Sequence, residues 1–205
     1  MGVYREHLLP RLVDRACGTR ELRRWREQVT AGLSGTVVEI GFGSGLNVPA
    51  YPAEVSLVYA VEPAATARHL ARKRIAASPV RVEHIGLRGE SIPLDDGSCD
   101  GALSTFTLCT IPDVEGALAE IRRVLRPGGR FHFLEHGLSP DASIARWQHR
   151  MEPLQKRLAD GCHLTRDPAA LVRSAGFEIE RVESRYASGP KPWTWLTEGA
   201  AVTPG

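Results

Sequence analysis

The chain has 205 residues, and its 26 Lys and Arg against 24 Asp and Glu leave a formal net charge of +2. This length suffices for one sizeable hydrophobic core, so we expect a single domain over residues 1–205. A near-neutral balance lacks the concentrated basic field that attracts phosphates, which disfavours a nucleic-acid partner. No run of about eighteen apolar residues is present, so we expect no stable membrane insertion. The four dispersed cysteines indicate no disulfide framework, so we expect the reducing cytoplasm as the location.

The N-terminal residues 4–31 carry two amphipathic patterns that are interrupted near Cys17 and Gly18. Apolar residues recur at helical spacing in both halves, at Leu8, Leu9, Leu12, Val13 and Ala16 and then at Leu22, Trp25 and Val29. The spacing predicts two helices that form an N-terminal cap, residues 1–33, in front of an α/β core, residues 34–205. Such helices could cover a pocket or pack on a sheet edge, and the sequence favours neither.

From Thr36 onwards, short apolar strands alternate with helices, which predicts a mostly parallel sheet with helices on both faces. We expect strands at 36–40, 57–62, 80–85, 99–105 and 130–136, and two closing strands at 177–184 and 193–197. Helices are expected at 64–77, 113–125, 142–158 and 167–175. The segment Leu125–Arg130 contains Pro127, Gly128 and Gly129, which predict a helix stop and a turn.

Three alternating glycines, Gly41, Gly43 and Gly45, follow the first strand of this core. Glycine lets a ligand approach the main chain closely, so this turn predicts a ligand that contains a nucleoside. A dinucleotide-binding fingerprint would place the third glycine one residue later, where Leu46 stands. Glu39, just before the turn, would repel a pyrophosphate but can accept hydrogen bonds from an ammonium group. The pattern therefore fits an amino acid joined to a nucleoside.

A lone carboxylate ends the second strand, 21 residues after Gly41, at Glu62. An acidic side chain at this strand tip can accept hydrogen bonds from both hydroxyls of a ribose. Gly89 and Glu90 follow the third strand, in a loop that could edge an adenine ring. These positions extend the predicted nucleoside site along the sheet edge.

Four segments resemble the ordered motifs of the class I S-adenosylmethionine-dependent methyltransferases of type 11, over about residues 35–137: Glu39–Gly45, Glu62, Gly89–Asp100 and Leu125–Gly129. The resemblance implies a three-layer, Rossmann-like fold whose sheet has seven strands, mostly parallel, with an antiparallel last strand. It also implies that the cofactor is S-adenosyl-L-methionine and that the product is S-adenosyl-L-homocysteine.

The same resemblance assigns roles to individual residues. The glycine turn would pass under the methionine part, Glu62 would bind the ribose, and Gly89 with Glu90 would bind the adenine. Asn47, Pro63 and Thr105 complete the expected cofactor site.

A narrower resemblance, to the branch that includes animal microsomal thiol S-methyltransferases, rests on Asn47–Pro52, Ser104–Ile111, Phe133–His136 and Asp160–Arg166. It implies a small-molecule acceptor, with S-methylation of a thiol as the leading interpretation. O- or C-methylation of an aromatic, a quinol or a natural product is the alternative. A nicotinamide oxidoreductase and a non-catalytic cofactor-binding protein are alternatives from other classes.

Three residues are candidates for the acceptor side. His136 ends the fifth strand, at the edge of the sheet where ligands bind, and we expect it to act as a base or to orient the acceptor. His163 lies in the 160–166 loop, which could close over the substrate. Cys109 follows the fourth strand and either lines the acceptor site or is a small buried hydrophobe.

The sequence predicts no metal site. Cys17, Cys99, Cys109 and Cys162 are far apart along the chain and form no Cys-x-x-Cys pair, which argues against a disulfide framework and a zinc knuckle. The Asp and His residues are equally dispersed, which argues against a metal-dependent catechol mechanism.

Overall fold

A computed structural model describes residues 4–86 and 88–204 of the chain. Its seven-stranded sheet has the order β3-β2-β1-β4-β5-β7-β6. The strands are β1 Gly35–Ile40, β2 Val55–Val61, β3 Arg81–Gly86, β4 Cys99–Thr105, β5 Leu125–His136, β6 Glu178–Tyr186 and β7 Trp195–Val202. All strand pairs are parallel except those of β7, which runs antiparallel to both β5 and β6. The predicted seven-stranded sheet with an antiparallel last strand is confirmed.

The helices of the described segments are α1 Leu9–Cys17, α2 Arg20–Thr30, α3 Ala65–Ala76, α4 Val114–Val124, α5 Ala142–Leu158, α6 Pro168–Ser174 and α7 Lys191–Thr194. A π-helical turn, Tyr4–Leu8, precedes α1, and a 3-10 turn, Val48–Ala50, follows the glycine turn. The predicted break of the N-terminal helices near Cys17 is confirmed. The Thr19 hydroxyl begins α2 by accepting a hydrogen bond of 3.3 Å from the Leu22 N–H, as an N-cap residue does.

Two apolar layers hold the sheet between helices. Alternate residues of β1 enter opposite layers, because successive side chains of a strand point to opposite faces. Val38 and Ile40 pack in the layer that contains α4, whereas Val37 packs with Trp25 and Val29 of α2. This arrangement is the predicted three-layer α/β fold.

The closing strand differs from the prediction of 193–197 in both position and length. Residues 191–194 form α7 instead, and β7 continues to Val202 through Gly199, which a sequence pattern does not favour in a strand. A Cβ atom at position 199 would overlap the Phe133 ring of β5, so glycine is required there by close packing. The predicted turn at Leu125–Arg130 is also wrong in extent, because β5 begins at Leu125 with a register irregularity opposite Cys99–Gly101.

The sheet order places the carboxyl ends of β2, β1, β4 and β5 side by side. The glycine turn, Glu62, Thr105 and His136 therefore stand along one edge of the sheet, where open α/β folds bind ligands. Across the described residues, no helix combines the length and the apolar character that crossing a membrane requires.

Candidate active site

The glycine turn has a left-handed backbone at all three positions, with φ of +70° at Gly41, +58° at Gly43 and +75° at Gly45. Glycine adopts this conformation without the steric cost that other residues incur. A Cβ atom at position 41 would overlap the side chain of Thr107, whereas one at position 43 would meet nothing closer than the Gly41 carbonyl oxygen at 3.8 Å. The main chain at Gly43 is therefore open on this side, which agrees with the predicted close approach of a ligand.

Glu62 connects the tip of β2 to this turn. Its carboxylate accepts hydrogen bonds from the Gly43 N–H at 2.8 Å and from the Ala64 N–H at 2.7 Å. Burial raises the pKa of Glu62, while these two backbone hydrogen bonds lower it in part. Each carboxylate oxygen keeps a second lone pair, so the group can still accept bonds from ribose hydroxyls. The neighbouring Pro63 is exposed.

Glu39 lies at the centre of a buried polar network. One carboxylate oxygen accepts a hydrogen bond of 2.6 Å from the Asn47 amide, and the other accepts the Tyr51 hydroxyl. The Asn47 amide also donates to the Thr105 hydroxyl at 3.0 Å. Burial raises the pKa of Glu39 to about 7, against the opposing effect of the hydrogen bonds from Tyr51 and Asn47. Three predicted cofactor residues, Glu39, Asn47 and Thr105, are thus in one connected network.

Arg26 of α2 completes this network, although sequence reasoning did not identify it. Its guanidinium donates to the Asn47 side-chain oxygen at 3.3 Å and to the Thr105 hydroxyl at 3.4 Å, and it stacks on the Phe106 ring with 5.3 Å to the centroid. Only 4% of Arg26 is exposed. A signal was present, since Arg26 lies on the same helical stripe as the apolar residues of α2, Leu22 and Val29.

Helix α1 lies against the glycine turn. The Asp14 carboxylate accepts the Ser44 hydroxyl at 2.5 Å and forms an ion pair of 2.8 Å with Arg74 of α3. Arg74 also donates to the Ser44 carbonyl oxygen at 2.8 Å. The two interpretations of the N-terminal cap apply to different helices, because α1 covers the glycine turn whereas α2 packs on the sheet.

Gly89 and Glu90 lie near the end of β1, on the face of the sheet that packs against α4. A Cβ atom at position 89 would stand 2.8 Å from the Ile40 Cγ2 atom and 3.5 Å from the Ala117 Cβ atom, so Gly89 is packed between the end of β1 and α4. Glu90 is half-buried beside it. Their predicted contact with adenine stays a prediction.

The predicted acceptor side contains a cluster of two thiols and an imidazole. The His136 Nε2 atom lies 3.1 Å from the Cys162 Sγ atom, which lies 3.8 Å from the Cys109 Sγ atom. Both cysteines are buried. The cluster joins the loop after β4, the end of β5 and the loop after α5. Cys162 is a site residue that sequence reasoning missed, because the fold alone brings these dispersed cysteines together.

Burial and hydrogen bonds together shift the pKa values of this cluster. Burial by itself lowers the pKa of His136, but the hydrogen bond to Cys162 and the nearby Glu135 carboxyl raise it overall. The hydrogen bond to Cys109, together with burial, raises the pKa of Cys162 far above the usual range of a thiol. The His136 Nδ1 atom is buried without a hydrogen-bond partner among the described residues.

Glu135 supports the loop that carries Thr105–Leu108. One of its carboxylate oxygens accepts the Ser104 hydroxyl at 2.9 Å and the Thr107 and Leu108 N–H groups at 2.9 and 3.1 Å. In this loop Phe106 has a φ of +55°, a strained backbone for a residue with a side chain. Such strain is typical of functional sites, where the surrounding structure enforces it.

The 160–166 loop is fastened to the loop that carries Cys109. The His163 N–H donates to the Cys109 carbonyl oxygen at 2.8 Å, which joins the two loops through their backbones. The Arg166 guanidinium donates to the Ile111 carbonyl oxygen at 2.9 Å and also to the carbonyl oxygen of Leu108. The 160–166 loop is thus held against the loop that follows β4, and its closure over a substrate stays a prediction.

The His163 side chain contacts α5 rather than the thiol cluster. Its Nδ1 atom lies 3.1 Å from a Glu152 carboxylate oxygen. Burial lowers the pKa of His163, and the cations Arg166 and Lys156 lower it further, although Glu152 acts in the opposite direction. A catalytic role for His163 stays a prediction.

Comparison with known proteins places this geometry in a family. Residues 38–133 match a family model described as a methyltransferase domain. The thiol S-methyltransferase TMT1B of Homo sapiens is 34% identical over 185 residues, a match that covers 83% of this chain and 70% of that protein. The ubiquinone/menaquinone biosynthesis C-methyltransferase UbiE of Brucella canis is 30% identical over 126 residues, which cover 53% of this chain and 46% of the relative.

The fold agrees with these matches. A solved structure from Thermotoga maritima, described as an S-adenosylmethionine-dependent methyltransferase and possible histamine N-methyltransferase, superposes with a TM-score of 0.68 at 25% identity, covering 98% of this chain and 99% of that one. The matched segment 38–133 contains the glycine turn, Glu62 and Thr105. These matches support transfer of a methyl group over the nicotinamide oxidoreductase alternative. The chain belongs to the class I S-adenosylmethionine-dependent methyltransferases, in the family that includes TMT1B.

Proposed function

We propose that this methyltransferase transfers a methyl group to the sulfur of a small thiol. The observation that carries the proposal is the similarity to TMT1B, named as a thiol S-methyltransferase, over 83% of the chain. That coverage includes residues from both sides of the candidate site. The sulfur and imidazole groups of Cys109, Cys162 and His136 would supply a soft, weakly polar lining that suits a thiol.

The donor side offers contacts for each part of S-adenosylmethionine. The open main chain at Gly43 would lie along the methionine part, and the buried network of Glu39 and Asn47 would face its ammonium group. Glu62 would accept the ribose hydroxyls, while Gly89 and Glu90 would border the adenine. When bound, this cofactor supplies a methyl group on a sulfonium and leaves as S-adenosyl-L-homocysteine.

The acceptor chemistry favours a thiol on simple ionisation grounds. A thiol with a pKa of about 8.5 is a few per cent ionised near neutral pH, whereas a phenol with a pKa of about 10 is about thirty times less ionised. Methyl transfer from a sulfonium is an in-line displacement, in which holding the reactants in line supplies much of the rate. His136 would then orient the acceptor or take the proton that most of the thiol still carries near neutral pH, a smaller demand than a phenol makes.

C-methylation of a quinol is the second candidate, because UbiE is similar over 126 residues. That similarity covers 53% of this chain, which is less than the TMT1B match covers. A carbon acceptor would depend more strongly on deprotonation of a neighbouring hydroxyl group. The two candidates therefore differ in the methylated atom and in their dependence on a base.

The experiment is a methyl-transfer screen with S-adenosylmethionine labelled in its methyl group, over small thiols, phenols, quinols and amines. We expect the label in a thioether product. His136→Ala should lower kcat/KM on that thiol by about 10²-fold, the lower range for a group that assists proton transfer. Cys99→Ala, at the opposite end of β4, is the matched control and should retain turnover.

Label found only in an O-methyl or C-methyl product would overturn the thiol assignment. Full turnover of His136→Ala on the true acceptor would remove His136 from the mechanism. Absence of S-adenosylmethionine binding at millimolar concentration would contradict the assignment of the donor site.

A further inference from the structure

Three side chains of metal-ligating chemistry meet at one point of the acceptor side. The ligand atoms of Cys109, His136 and Cys162 all lie within 4.8 Å of one another. The cysteines are 3% and 8% exposed, so the cluster is sheltered from solvent. Thiolate and imidazole groups are the ligands that Zn²⁺ prefers in proteins.

The spacing of the two sulfurs agrees with a shared tetrahedral ion. With a zinc to sulfur distance of about 2.3 Å, two sulfurs of a tetrahedral site are separated by about 3.8 Å. The Sγ atoms of Cys109 and Cys162 are 3.8 Å apart. A nitrogen and a sulfur of such a site would be about 3.6 Å apart, whereas the His136 Nε2 and Cys162 Sγ atoms are separated by 3.1 Å. A shift of the imidazole by about half an ångström would open the His136–Cys162 pair to that distance, and the Cys109–His136 pair, whose ligand atoms lie within 4.8 Å of each other, would close toward it.

We propose that Cys109, His136 and Cys162 bind a thiophilic divalent cation of the Zn²⁺ type, whose fourth position takes the sulfur of the acceptor. Three protein ligands are typical of catalytic zinc sites, which keep one position open, whereas structural sites are closed by four. The described residues supply three such ligands at this point. Two thiolates and a dication sum to zero charge, which suits a buried location.

A disulfide between the two cysteines is a poorer account of the same geometry. It would require the sulfurs to approach to about 2.05 Å and an oxidant to remove two electrons. Binding a cation requires neither, since each thiol only releases a proton to solvent. The observed separation of 3.8 Å already has the tetrahedral value.

The acceptor part of this inference rests on the proposed function, whereas the cation site does not. A thiol in the fourth position would lose its proton to solvent and be held by the cation as a thiolate, with no change in oxidation state. The ion would thus supply the ionisation that a side-chain base would otherwise provide. His136 would act on the acceptor through the metal rather than by taking its proton.

The test is metal binding by the full chain. Protein reduced with a phosphine and treated with a chelator is titrated with Zn²⁺ against a chromophoric competitor. Because the buried imidazole lacks an outer partner for its Nδ1 atom among the described residues, affinity should be about 10- to 100-fold below that of a fully supported site. We expect one Zn²⁺ per chain with a Kd of about 10 µM or lower. Cys109→Ser, Cys162→Ser and His136→Ala should each weaken binding at least about tenfold, and Cys99→Ala should not.

A second readout uses Co²⁺ in place of Zn²⁺. The substituted protein should show thiolate-to-cobalt charge-transfer and tetrahedral d–d absorption, and adding 2-mercaptoethanol should shift the d–d bands. Sub-stoichiometric Zn²⁺ binding, or Zn²⁺ binding unchanged in Cys162→Ser, would overturn the site. Tetrahedral bands that do not respond to 2-mercaptoethanol would overturn the acceptor position. If Cys162→Ser binds no Zn²⁺ but still binds S-adenosylmethionine in calorimetry, the methyltransferase assignment is independent of the cation site. The two proposals can therefore fail separately.

Discussion

On the donor side, Glu39, the glycine turn and Glu62 come from residues 39–62, and much of the surface is main chain. On the acceptor side, Cys109, His136 and Cys162 come from three segments that meet only in the fold. A surface built from backbone depends on a few glycines at fixed spacing, so it constrains the sequence strongly. A surface built from loop side chains changes without disturbing the sheet, which allows one fold to serve many acceptors.

The largest effect should come from Gly41→Ala. The new Cβ atom would overlap Thr107, and alanine would be strained in the left-handed backbone conformation of this position. Strain of about 1–2 kcal/mol for the backbone and about 1–3 kcal/mol for the overlap should lower the free energy of unfolding by about 2–5 kcal/mol. Urea denaturation measures this change.

Gly43→Ala is the matched control for the overlap. Its backbone is equally left-handed, but no atom lies within 3.8 Å of the added methyl group. We expect only the backbone cost of about 1–2 kcal/mol, together with weaker S-adenosylmethionine binding because the methyl group would enter the ligand space. Equal destabilisation by the two alanines would refute the packing role given to Thr107.

The donor side could be predicted from sequence because its features are local. A strand, three glycines and a carboxylate 21 residues beyond Gly41 define it without knowledge of distant contacts. Arg26 was missed because one arginine among several on an amphipathic helix looks solvated, even though it lies on the apolar stripe, and its partners Asn47 and Thr105 show why it is buried. The sequence likewise left open whether the N-terminal helices cover a pocket or pack on the sheet, because this choice depends on contacts between distant residues.

The acceptor side could be predicted only in part, and more through resemblance than through local pattern. His136 and Cys109 were recognised by their positions after strands, but Cys162 acquires its meaning from contact with both. His163 stood out in the sequence, yet its ring contacts Glu152, a residue with no distinctive sequence context. The extent of β7 was missed because Gly199 is favoured by the ring of Phe133, which lies in another strand.

A smaller effect on the free energy of unfolding should come from the titration of Glu39. Its pKa is raised from 4.5 to about 7 by burial, which corresponds to about 3 kcal/mol. Below pH 4.5 the Glu39 carboxyl is protonated in both the folded and the unfolded chain. The stabilisation that comes from its raised pKa is therefore fully present there. As pH rises from 4.5 to 7, the unfolded chain ionises first, and the free energy of unfolding falls.

Glu39→Gln should remove that part of the pH dependence. The amide keeps the side-chain size, and the Tyr51 hydroxyl can reverse its role to accept from it. The difference in unfolding free energy between wild type and variant, measured by urea denaturation from about pH 4.5 to 8, should change by about 3 kcal/mol. A constant difference over this interval would show that Glu39 titrates normally.

The smallest effect should come from the contact between α1 and the glycine turn. Asp14→Asn removes a partly exposed ion pair with Arg74, so the loss of stability should be below about 1 kcal/mol. Because α1 covers the turn, S-adenosylmethionine should dissociate about two- to fivefold faster, as a loss of up to about 1 kcal/mol allows. Stopped-flow dissociation measures this rate. Glu83→Gln, which removes the surface ion pair with Arg81 on β3, is the control and should leave the rate unchanged.

The division into a donor and an acceptor side is tested most directly by calorimetry of S-adenosylmethionine binding to wild type, Glu62→Gln and Cys162→Ser. We predict one site per chain in wild type, and a Kd raised about 10- to 100-fold in Glu62→Gln, because hydrogen bonds to a charged group contribute about 1.5–3 kcal/mol. Cys162→Ser should bind with a Kd within about twofold of wild type, since its sulfur belongs to the acceptor side. Equal affinities of wild type and Glu62→Gln, or loss of binding in Cys162→Ser, would contradict the account.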